Sequence, residues 1–527
     1  MGELWFGGTI YTMEHEQDTV EAVYVENGVI QAVGDEHKLR NHYKASVLQE
    51  INLQGQVMYP GFVDSHLHLV GHGEKLMRLH LAYYTSKEEV IQALSQQVRH
   101  LEAGQWLIGE GWNENQWDTP TPIHRRELDL ISTEHPIMLS RVCRHALLAN
   151  SKAMELAGIT EQTSHPQGGK IERDANGLTG LFLDTAQDLI KKAMPSFNQS
   201  YIEHAIRLAV EDLLRHGIVG GHTEDLAYYG SFDQTYKAFK NIISEDKIKF
   251  RTHLLVHHDV IENMQHCGIV QDTDFVECGA MKVFSDGALG GRTAWLSEPY
   301  QDDHNNTGIP IHKSKDLEAL VQQARNYHMP IAIHAIGDRA VEEAANVLVA
   351  YPSTSTLPDR IIHAQVMRDE LYDKIKQGNI IIDIQPTFVS SDFPWVLDRL
   401  GQHREPQAYP WKTFLEHGIV CAGGSDAPIE EISPIQGIQS AITRTSYLDH
   451  KVYGEEQRLT PFEAVSLYTT APAQAIGQAN RKGQIQEGYT ADFTILDRDL
   501  FTIDPENMLQ VSVTKTVVDG TIMYENI

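Results

Sequence analysis

Eight short apolar runs alternate with helix-like segments between residues 57 and 470, and this alternation restricts the fold more than any other feature. In order, the runs are VMYPGFVDSHLHL, GIVGGHTED, KIKFRTHLLVHH, GAMKVFSDGALGG, MPIAIHAIGDRAV, RIIHAQVM, NIIIDIQPTF and GIVCAGGSDAP. Eight β/α units predict an α/β fold, a (β/α)8 TIM-type barrel with its reactive groups at the carboxyl ends of the strands. A doubly wound sheet competes, but no G-x-G-x-x-G pattern follows any run.

The two ends of the chain are β-rich instead. Asn27-Gly28 near one end and Asp519-Gly520 near the other separate β-rich runs, as tight hairpin turns do. Neither end has enough apolar surface to fold alone. We therefore expect residues 1–57 and 476–527 to form the two halves of one small β-sandwich.

A long segment interrupts the alternation after the first barrel strand. That strand falls within residues 58–71, and residues 211–475 hold the rest of the barrel. The segment between them, residues 72–210, is mostly helical in pattern and too long for a simple connection. We expect it to be an inserted lid or substrate region.

The composition limits the classes of binding partner and the cellular compartment that we expect for the protein. Lys and Arg number 43 against 72 Asp and Glu, giving a net charge of −29, which disfavours nucleic acid and anionic membranes as partners. The four cysteines form no C-x-x-C pair, and no apolar run reaches the roughly 18–20 residues of a membrane span. The first residues do not resemble a secretion signal. We expect a cytoplasmic protein. A homodimer is the expected oligomer because it is the commonest one among soluble proteins.

Chemically useful side chains recur where the barrel runs meet polar or glycine-rich segments. The first run ends in His66-Leu67-His68, and alternate residues of a strand face the same side. Strand alternation alone produces such a pair by chance. Later runs add further candidates, namely Lys282, His334, His363 and Asp426. Because strand ends converge at the mouth of a barrel, we expect these residues to share one site.

Four imidazoles and a carboxylate suit zinc or a similar divalent metal. Such a metal lowers the pKa of bound water to about 7 and polarises a carbonyl group. Asp426 can then serve as ligand, as general base, or as both. Covalent catalysis is disfavoured because neither Ser65 nor Ser425 lies in a G-x-S-x-G elbow.

Six motifs carry a resemblance that covers nearly the whole chain. They are PGFVDSHLHL, MKVFSDGALGGRTA, IHAIGDRA, RIIHAQ, GGSDAP and GYTADFTILD. In these motifs and their order, the sequence resembles the amidohydrolase superfamily, and more closely its YtcJ-like branch, which includes N-substituted formamide deformylases. The resemblance implies a metal-dependent hydrolase that cleaves a non-peptide, amide-type C–N bond of a small molecule with a metal-activated hydroxide.

The resemblance also assigns roles at the strand ends. The residues that match metal ligands are His66, His68, Lys282, His334, His363 and Asp426. Asp426 is in addition the expected catalytic residue, which takes a proton from water and delivers it to the leaving nitrogen. Lys282 matches a carboxylated lysine that bridges two metals, because a carbamate offers two anionic oxygens where an ammonium offers no lone pair. We expect one or two zinc ions per chain, depending on that carbamate.

Two other functions remain open. A mononuclear deaminase would leave Lys282 unused, and it usually needs an acid near the fifth strand, where only Asp338 is available. Asp338 and Arg339 are otherwise a helix N-cap and a surface charge, or support for His334. A non-catalytic scaffold with this architecture is disfavoured because every expected ligand position is filled.

Substrate contacts are expected outside the metal ligands. The candidates are Trp112, Trp117, Arg144, His145 and Arg292. The first four lie in the insertion, where aromatic residues would line an apolar pocket, or would simply pack its core. Arg292 follows the fourth strand and either contacts substrate or is a loop-surface arginine. Five further histidines fit no metal pattern and are interpreted as structural or surface groups: His72, His80, His253, His257 and His258.

Overall fold

The computed structural model describes residues 2–101, 104–117, 119–142, 145–194, 198–353, 355 and 357–526. The chain divides into two compact units. One unit consists of Met1–His72 and Ile202–Ile527, and the other of Gly73–Tyr201. The divisions fall inside two helices, Leu69–Met77 and Gln199–Arg215. Among the described residues, no helix combines the length and the apolar character that a membrane span requires.

Eight parallel strands form one sheet in the larger unit, in the same order as in the chain. They are β1 (Phe62–Leu67), β2 (Ile218–Thr223), β3 (Arg251–His257), β4 (Val276–Phe284), β5 (Ile331–Ala335), β6 (Asp359–His363), β7 (Ile380–Ile384) and β8 (Cys421–Gly423). The sheet nearly closes, because the Asp426 N–H after β8 donates to the His66 carbonyl of β1 at 2.8 Å. The predicted TIM-type barrel is thereby confirmed, with a strand in each of the eight apolar runs.

Helices follow the barrel strands. They are Phe232–Ile242, Ile261–Cys267, Ser314–Asn326, Asp338–Ala350, Asp369–Gln377, Thr387–Asp392, Trp395–Leu400, Trp411–Glu416, Pro434–Thr443, Pro461–Ser466 and Thr470–Ala475. In the helix Gln199–Arg215, the buried residues Ile202, Ile206, Ala209 and Leu213 recur every three or four positions. This spacing places an apolar stripe on one side, which is the pattern of a helix packed on a core.

Strands from both ends of the chain share a second sheet in the larger unit. They are Gly2–Tyr11, Thr19–Glu26, Val29–Gly34, Val47–Asn52, Val57–Pro60, Phe493–Leu496, Val513–Val518 and Thr521–Glu525, with the helix Glu36–His42 beside them in sequence. Val57–Pro60 joins the two halves, since it pairs with Gly2–Tyr11 on one side and Phe493–Leu496 on the other. The two termini thus form a common sheet, and the two-layer sandwich stays a prediction.

This terminal sheet is fastened to the barrel by buried polar contacts. Thr494 Oγ1 donates to the Gly217 carbonyl at 2.6 Å, just before β2. The guanidinium of Arg251, the first residue of β3, donates to the Asp492 carboxylate at 2.9 Å. Burial alone would raise the pKa of Asp492, but the Arg251 charge holds it below its usual value. Both contacts lie on the side of the barrel where its strands begin.

The smaller unit, Gly73–Tyr201, contains a six-stranded sheet, so the expectation of a mostly helical segment was wrong. Its strands, in sheet order, are Gly169–Asp174, Gly177–Asp184, Ala146–Ala149, Ile137–Arg141, Leu107–Trp112 and Leu79–His80. Its remaining helices are Lys87–Gln97, Arg125–Ile131, Ser151–Leu156 and Gln187–Lys191. The strands are short, and cross-strand pairing overrides the local helical composition.

Candidate metal centre

Two histidines of β1 and an aspartate after β8 meet at the mouth of the barrel. His66 Nε2 lies 3.4 Å from Asp426 Oδ1, and His68 Nε2 lies 3.5 Å from the same oxygen. Ligands held in a tetrahedron at about 2.0–2.2 Å from zinc are themselves about 3.3–3.5 Å apart. The three side chains, of which His66 is almost fully buried, therefore have the spacing of neighbouring ligands of one ion.

The backbone is strained where it presents two of the site residues. Asp426 has φ 55° and His363 has φ 80°, a left-handed region that costs energy for residues other than glycine. Main-chain bonds hold the strained segment in place: besides the bond from Asp426 N–H, the His68 N–H donates to the Ala427 carbonyl at 2.7 Å. Strain of this kind is typical of functional sites, where it aims a side chain.

His334 of β5 and His363 of β6 complete the group. The rings of His363 and His66 are 5.6 Å apart, and those of His334 and His363 are 4.6 Å apart. His363 Nδ1 donates to Gln385 Oε1 at 2.7 Å, and His334 Nε2 donates to the Gly287 carbonyl at 3.1 Å. Each bond fixes the proton on one ring nitrogen and leaves the lone pair on the other, as ligating histidines require.

Lys282 of β4 is fully buried beside these histidines. Its Nζ lies 3.4 Å from His66 Nε2 and 4.5 Å from the centre of the Phe284 ring. Burial lowers the pKa of this ammonium, although the carboxylates of Glu224 and Asp426 oppose the shift. The structure thus brings all six predicted ligand positions to one end of the barrel.

Glu224, just after β2, is a buried group that the sequence patterns did not single out. Its backbone carbonyl accepts from His68 Nδ1 at 2.8 Å, which leaves His68 Nε2 free as a ligand. One carboxylate oxygen accepts from Tyr228 Oη at 2.7 Å, and the other is buried without a hydrogen-bond partner. The sequence contains a signal for Glu224, because the two acidic residues Glu224 and Asp225 directly follow the apolar strand β2.

Electrostatics at the mouth favour exchange of a proton for a cation. Burial lowers the pKa of His68, but the Asp426 carboxylate outweighs it and raises that pKa to about 9. Burial likewise raises the pKa of Asp426, and its contacts with His68 and His363 bring it below the usual value. The pKa of His66 is held well below its ordinary value by burial and by the neighbouring Lys282. A metal ion would displace the proton shared by His68 and Asp426.

Three of the residues predicted to contact substrate lie in the core or at the surface of the smaller unit. Within Gly73–Tyr201, Trp112 and Trp117 are 2% and 4% exposed and pack in the core of that unit, as the packing alternative proposed. His145 is exposed and contacts Asp184 at 3.2 Å, and Arg144 lies outside the described residues. Contact of these side chains with substrate stays a prediction.

Arg292 belongs to the loop after β4, and its guanidinium makes a two-pronged contact with Asp302 at 3.0 and 2.7 Å. Because Asp302 lies in the same loop, this contact favours the loop-surface alternative. A role of Arg292 in binding substrate also stays a prediction.

Asp338 neither caps its helix nor supports His334, so both interpretations of it were wrong. It is the first residue of the helix Asp338–Ala350, whose N-cap is Gly337. Its carboxylate accepts from the Ser297 N–H at 2.9 Å and pairs with Arg368 at 2.7 Å.

The carboxylate beside His334 is Asp286 instead, with Oδ1 at 3.5 Å from His334 Nε2. Asp286 accepts from the N–H groups of Trp295, Ile336 and Gly337. It thereby ties the loop after β4 to the end of β5. Burial raises the pKa of this carboxyl to about 7.

A TIM-type barrel whose strand ends converge on histidines, a lysine and an aspartate defines a metal-dependent hydrolase. The model of the amidohydrolase family matches residues 49–524, and the chain belongs to that family. Its substrate is accordingly a small molecule, and the candidate ligands fit a divalent metal.

Known proteins resemble the chain along its full length. It is 47% identical over 528 residues to the putative amidohydrolase YtcJ of Bacillus subtilis (strain 168), covering 100% of both chains. It is 26% identical to the N-substituted formamide deformylase of Arthrobacter pascens, covering 98% of this chain and 97% of that one. A crystal structure of an uncharacterized metal-dependent hydrolase from Pyrococcus horikoshii OT3 superposes with a TM-score of 0.78 at 27% identity, covering 96% and 99%. The predicted resemblance to the YtcJ-like branch is confirmed.

Proposed function

We propose that the protein hydrolyses an amide-type, non-peptide C–N bond of a small molecule and that zinc is its metal. The observation that carries the proposal is the spacing of His66, His68 and Asp426, whose facing atoms lie 3.4 and 3.5 Å apart. The likeness to a deformylase of N-substituted formamides supports the choice of bond.

Asp426 is the group that moves protons. Bound among the candidate ligands, zinc would lower the pKa of water and polarise the substrate carbonyl. The pKa of Asp426 lies below its usual value, so its carboxylate is ionised and able to accept a proton from water. The same carboxyl then delivers that proton to the departing nitrogen, which leaves as a neutral amine. The left-handed backbone of Asp426 holds the carboxylate at the mouth for both steps.

The number of metal ions depends on whether Lys282 is carboxylated. Burial lowers the pKa of its ammonium, which favours the neutral amine, and only a neutral amine can add to CO2. The addition forms an N–C bond, releases one proton and leaves an anionic carbamate with two oxygens. Its Nζ stands 3.4 Å from His66 Nε2, so such oxygens would lie among the ligands and would complete a two-metal site.

The other functions are less well supported by the contacts. A deaminase of the mononuclear kind would use an acid after β5, but Asp338 is engaged by Ser297 and Arg368. A scaffold without activity would not need strained backbone at His363 and Asp426.

Activity can be tested with the full chain loaded with zinc. A panel of N-formyl, N-acyl and cyclic amides is assayed with the wild type, Asp426→Asn and the matched control Asp302→Asn. We expect one class of amide to be hydrolysed by the wild type and the control, and turnover by Asp426→Asn to be about 10²–10⁴-fold lower. Chelation should abolish turnover and zinc should restore it. Absence of turnover on every amide, with zinc bound and the fold intact, would refute the proposed bond.

The number of metals is measured separately. Wild type and Lys282→Met are loaded with zinc with and without added bicarbonate, and zinc per chain is determined by elemental analysis. Two zinc ions per chain that depend on bicarbonate and on Lys282 support the carbamate. One zinc in every sample contradicts the carbamate and leaves the reaction to a single metal.

A further inference from the structure

His257, the last residue of β3, projects into the barrel beside the metal centre without belonging to it. It pairs in register with Lys282 of the parallel strand β4. Paired residues of neighbouring parallel strands project to the same face of the sheet, and in a barrel one of the two faces is the interior. Because Lys282 projects to the candidate metal ligands in the interior, His257 projects to the same end of the barrel.

A backbone contact places the proton of the His257 ring. Its Nδ1 accepts the N–H of Asp259 at 3.2 Å and thereby caps the short turn His258–Val260. A ring nitrogen that accepts a hydrogen bond carries the lone pair, so the neutral imidazole holds its proton on Nε2. The fold therefore presents His257 as a hydrogen-bond donor through Nε2.

This donor is not used by the described part of the chain. No described residue accepts a hydrogen bond from His257 Nε2, although the side chain is only 10% exposed. The nitrogen is not sealed off either, unlike Nδ1 of His222, which is buried without a partner. A sheltered N–H that is unpaired and still open is the kind of polar group that orients a ligand in a pocket.

Aromatic rings connect His257 to the candidate metal ligands. The Tyr228 ring lies 6.0 Å from that of His257 and 6.3 Å from that of His68. On a second path, the Phe284 ring lies 5.9 Å from that of His257 and 5.1 Å from that of His334. Tyr228 is 44% exposed, so the barrel mouth is open beside it. His257 thus stands one ring away from two candidate ligands, which suits contact with a part of the substrate beyond the reacting carbonyl.

The charges next to His257 favour an uncharged acceptor. A carboxylate oxygen of Asp259 lies 3.5 Å from its Nδ1. The buried carboxylate of Glu224 accepts from the hydroxyl of Tyr228, whose ring is beside His257. A neutral imidazole adds no positive charge to offset these two carboxylates, so an anionic group would be repelled there. A carbonyl oxygen accepts the N–H without adding charge.

We propose that His257 binds substrate through Nε2–H, and that the substrate carries a second, uncharged carbonyl group besides the amide that is cleaved. The second carbonyl oxygen accepts from His257, while the rings of Tyr228 and Phe284 line the path between the two carbonyl groups. This inference rests on the amide hydrolysis proposed above and narrows its substrate to amides of this kind.

Two variants of His257 separate its contact with substrate from its role in the turn. In His257→Asn, the side-chain oxygen can still accept the Asp259 N–H and cap the turn, but no donor reaches the position of Nε2. In His257→Gln, the longer side chain returns an N–H to that position. The matched control is His403→Asn, which replaces an exposed histidine.

The substrates are compared in two matched pairs with the zinc-loaded full chain. N-formyl-β-alaninamide is paired with N-butylformamide, and N-methylsuccinamide with N-methylpentanamide, so that a second carbonyl is present or absent on either side of the cleaved bond. In one pair, we expect His257→Asn to lower the ratio of kcat/KM between the two compounds by about 3–10-fold, through KM rather than kcat. His257→Gln should restore much of the ratio, and His403→Asn should keep that of the wild type.

Two results of the kinetic comparison would overturn the proposal. One is an equal ratio in wild type and His257→Asn for both pairs. The other is a higher kcat/KM for the anionic compound N-formyl-β-alanine than for N-formyl-β-alaninamide, which would overturn the choice of an uncharged acceptor.

A crystallographic measurement keeps His257 testable if none of these amides is hydrolysed, a result that counts against the proposed reaction. Crystals of the zinc-loaded wild type are soaked with N-formyl-β-alaninamide and, separately, with N-methylsuccinamide. We expect a carbonyl oxygen of one compound at about 2.7–3.2 Å from His257 Nε2. An empty mouth with both compounds, or carbonyl oxygens bound only elsewhere, would overturn the role of His257 by itself.

Discussion

Two histidine–carboxylate contacts in the barrel, His66 with Asp426 and His253 with Glu277, have different structural roles. At the carboxyl ends of the strands, His66 and Asp426 face each other at 3.4 Å. Closer to the strand beginnings, His253 of β3 bonds directly to Glu277 of β4 at 3.0 Å, and Gln478 donates to the same carboxylate. Glu277 and His253 satisfy each other by a hydrogen bond. His66 and Asp426 instead stand at the distance that separates neighbouring ligands of a metal ion.

Packing reinforces the contrast. A Cβ at Gly279 would lie 1.8 Å from His253 Nε2, so only glycine admits the ring at that place. His253 is thereby fixed by a close backbone as well as by Glu277. Residue type alone therefore does not distinguish a metal centre from a structural histidine–carboxylate pair. The distance between the facing atoms and the presence of unsatisfied lone pairs distinguish them.

The largest difference is expected from the two carboxylates. Asp426→Asn should lower kcat by about 10²–10⁴-fold and reduce bound zinc, because it removes both a ligand and the proton acceptor. Glu277→Gln should leave kcat and zinc content close to those of the wild type. Steady-state kinetics and elemental analysis check both variants. Equal losses of activity in the two variants would contradict the assignment of Asp426 to a metal centre and of Glu277 to a structural pair.

The next largest effect is expected from two glutamines, each of which hydrogen-bonds a member of one group: Gln385 bonds His363, and Gln478 bonds Glu277. Gln385→Leu removes the partner of His363 Nδ1 and should weaken zinc binding by about 10–100-fold. Gln478→Leu removes a partner of Glu277 and serves as the matched control, with zinc affinity unchanged. Competition with a chromophoric chelator measures both affinities. A wild-type affinity in Gln385→Leu would show that His363 does not bind the metal through Nε2.

A smaller effect is expected on stability. Glu277→Gln should lower the free energy of unfolding by about 1–3 kcal/mol, because the charged partner of the buried His253 is lost. Urea unfolding followed by fluorescence measures the change in the metal-free protein. A stability equal to the wild type would mean that this pair contributes no more than its packing.

The smallest effect is the pH dependence of that stability. Burial raises the pKa of Glu277, but the bond with His253 outweighs it, so the pKa in the folded protein lies below the usual value. The unfolded chain therefore takes up this proton first as the pH falls through about 4.3. The contribution of Glu277 is complete above that pH and is lost towards the folded pKa. Urea midpoints of wild type and Glu277→Gln should converge between about pH 5 and 3; parallel curves would contradict the shift.

The sequence predicted the barrel because its strands are short, apolar and regularly spaced, and because His66, His68, His334 and Asp426 mark where they end. It did not predict the sheet in Gly73–Tyr201, whose short strands are defined by partners distant in sequence. Gln385 was missed for the same reason: its role depends on His363 of the neighbouring strand, and nothing local distinguishes it from other polar residues after a strand.

Asp286 and Asp338 show the limit more sharply. Both are aspartates near the mouth, and a motif led to the wrong one as the neighbour of His334. Only the path of the loop after β4 decides that Asp286 reaches the end of β5 while Asp338 turns to Ser297. The direction of a side chain around a helix start is fixed by this loop, which has no periodic pattern.

The pairing of Val57–Pro60 with Phe493–Leu496 has a consequence for synthesis of the chain. Met58 lies opposite Ile495, about 440 residues later. At about 5–20 residues per second, the first strands wait on the ribosome for roughly 20–90 s before their partner is made. During that time Val57 and Met58, which are buried in the finished protein, have no neighbour on that side. The nascent chain thus exposes an apolar strand edge until Phe493–Leu496 has been made.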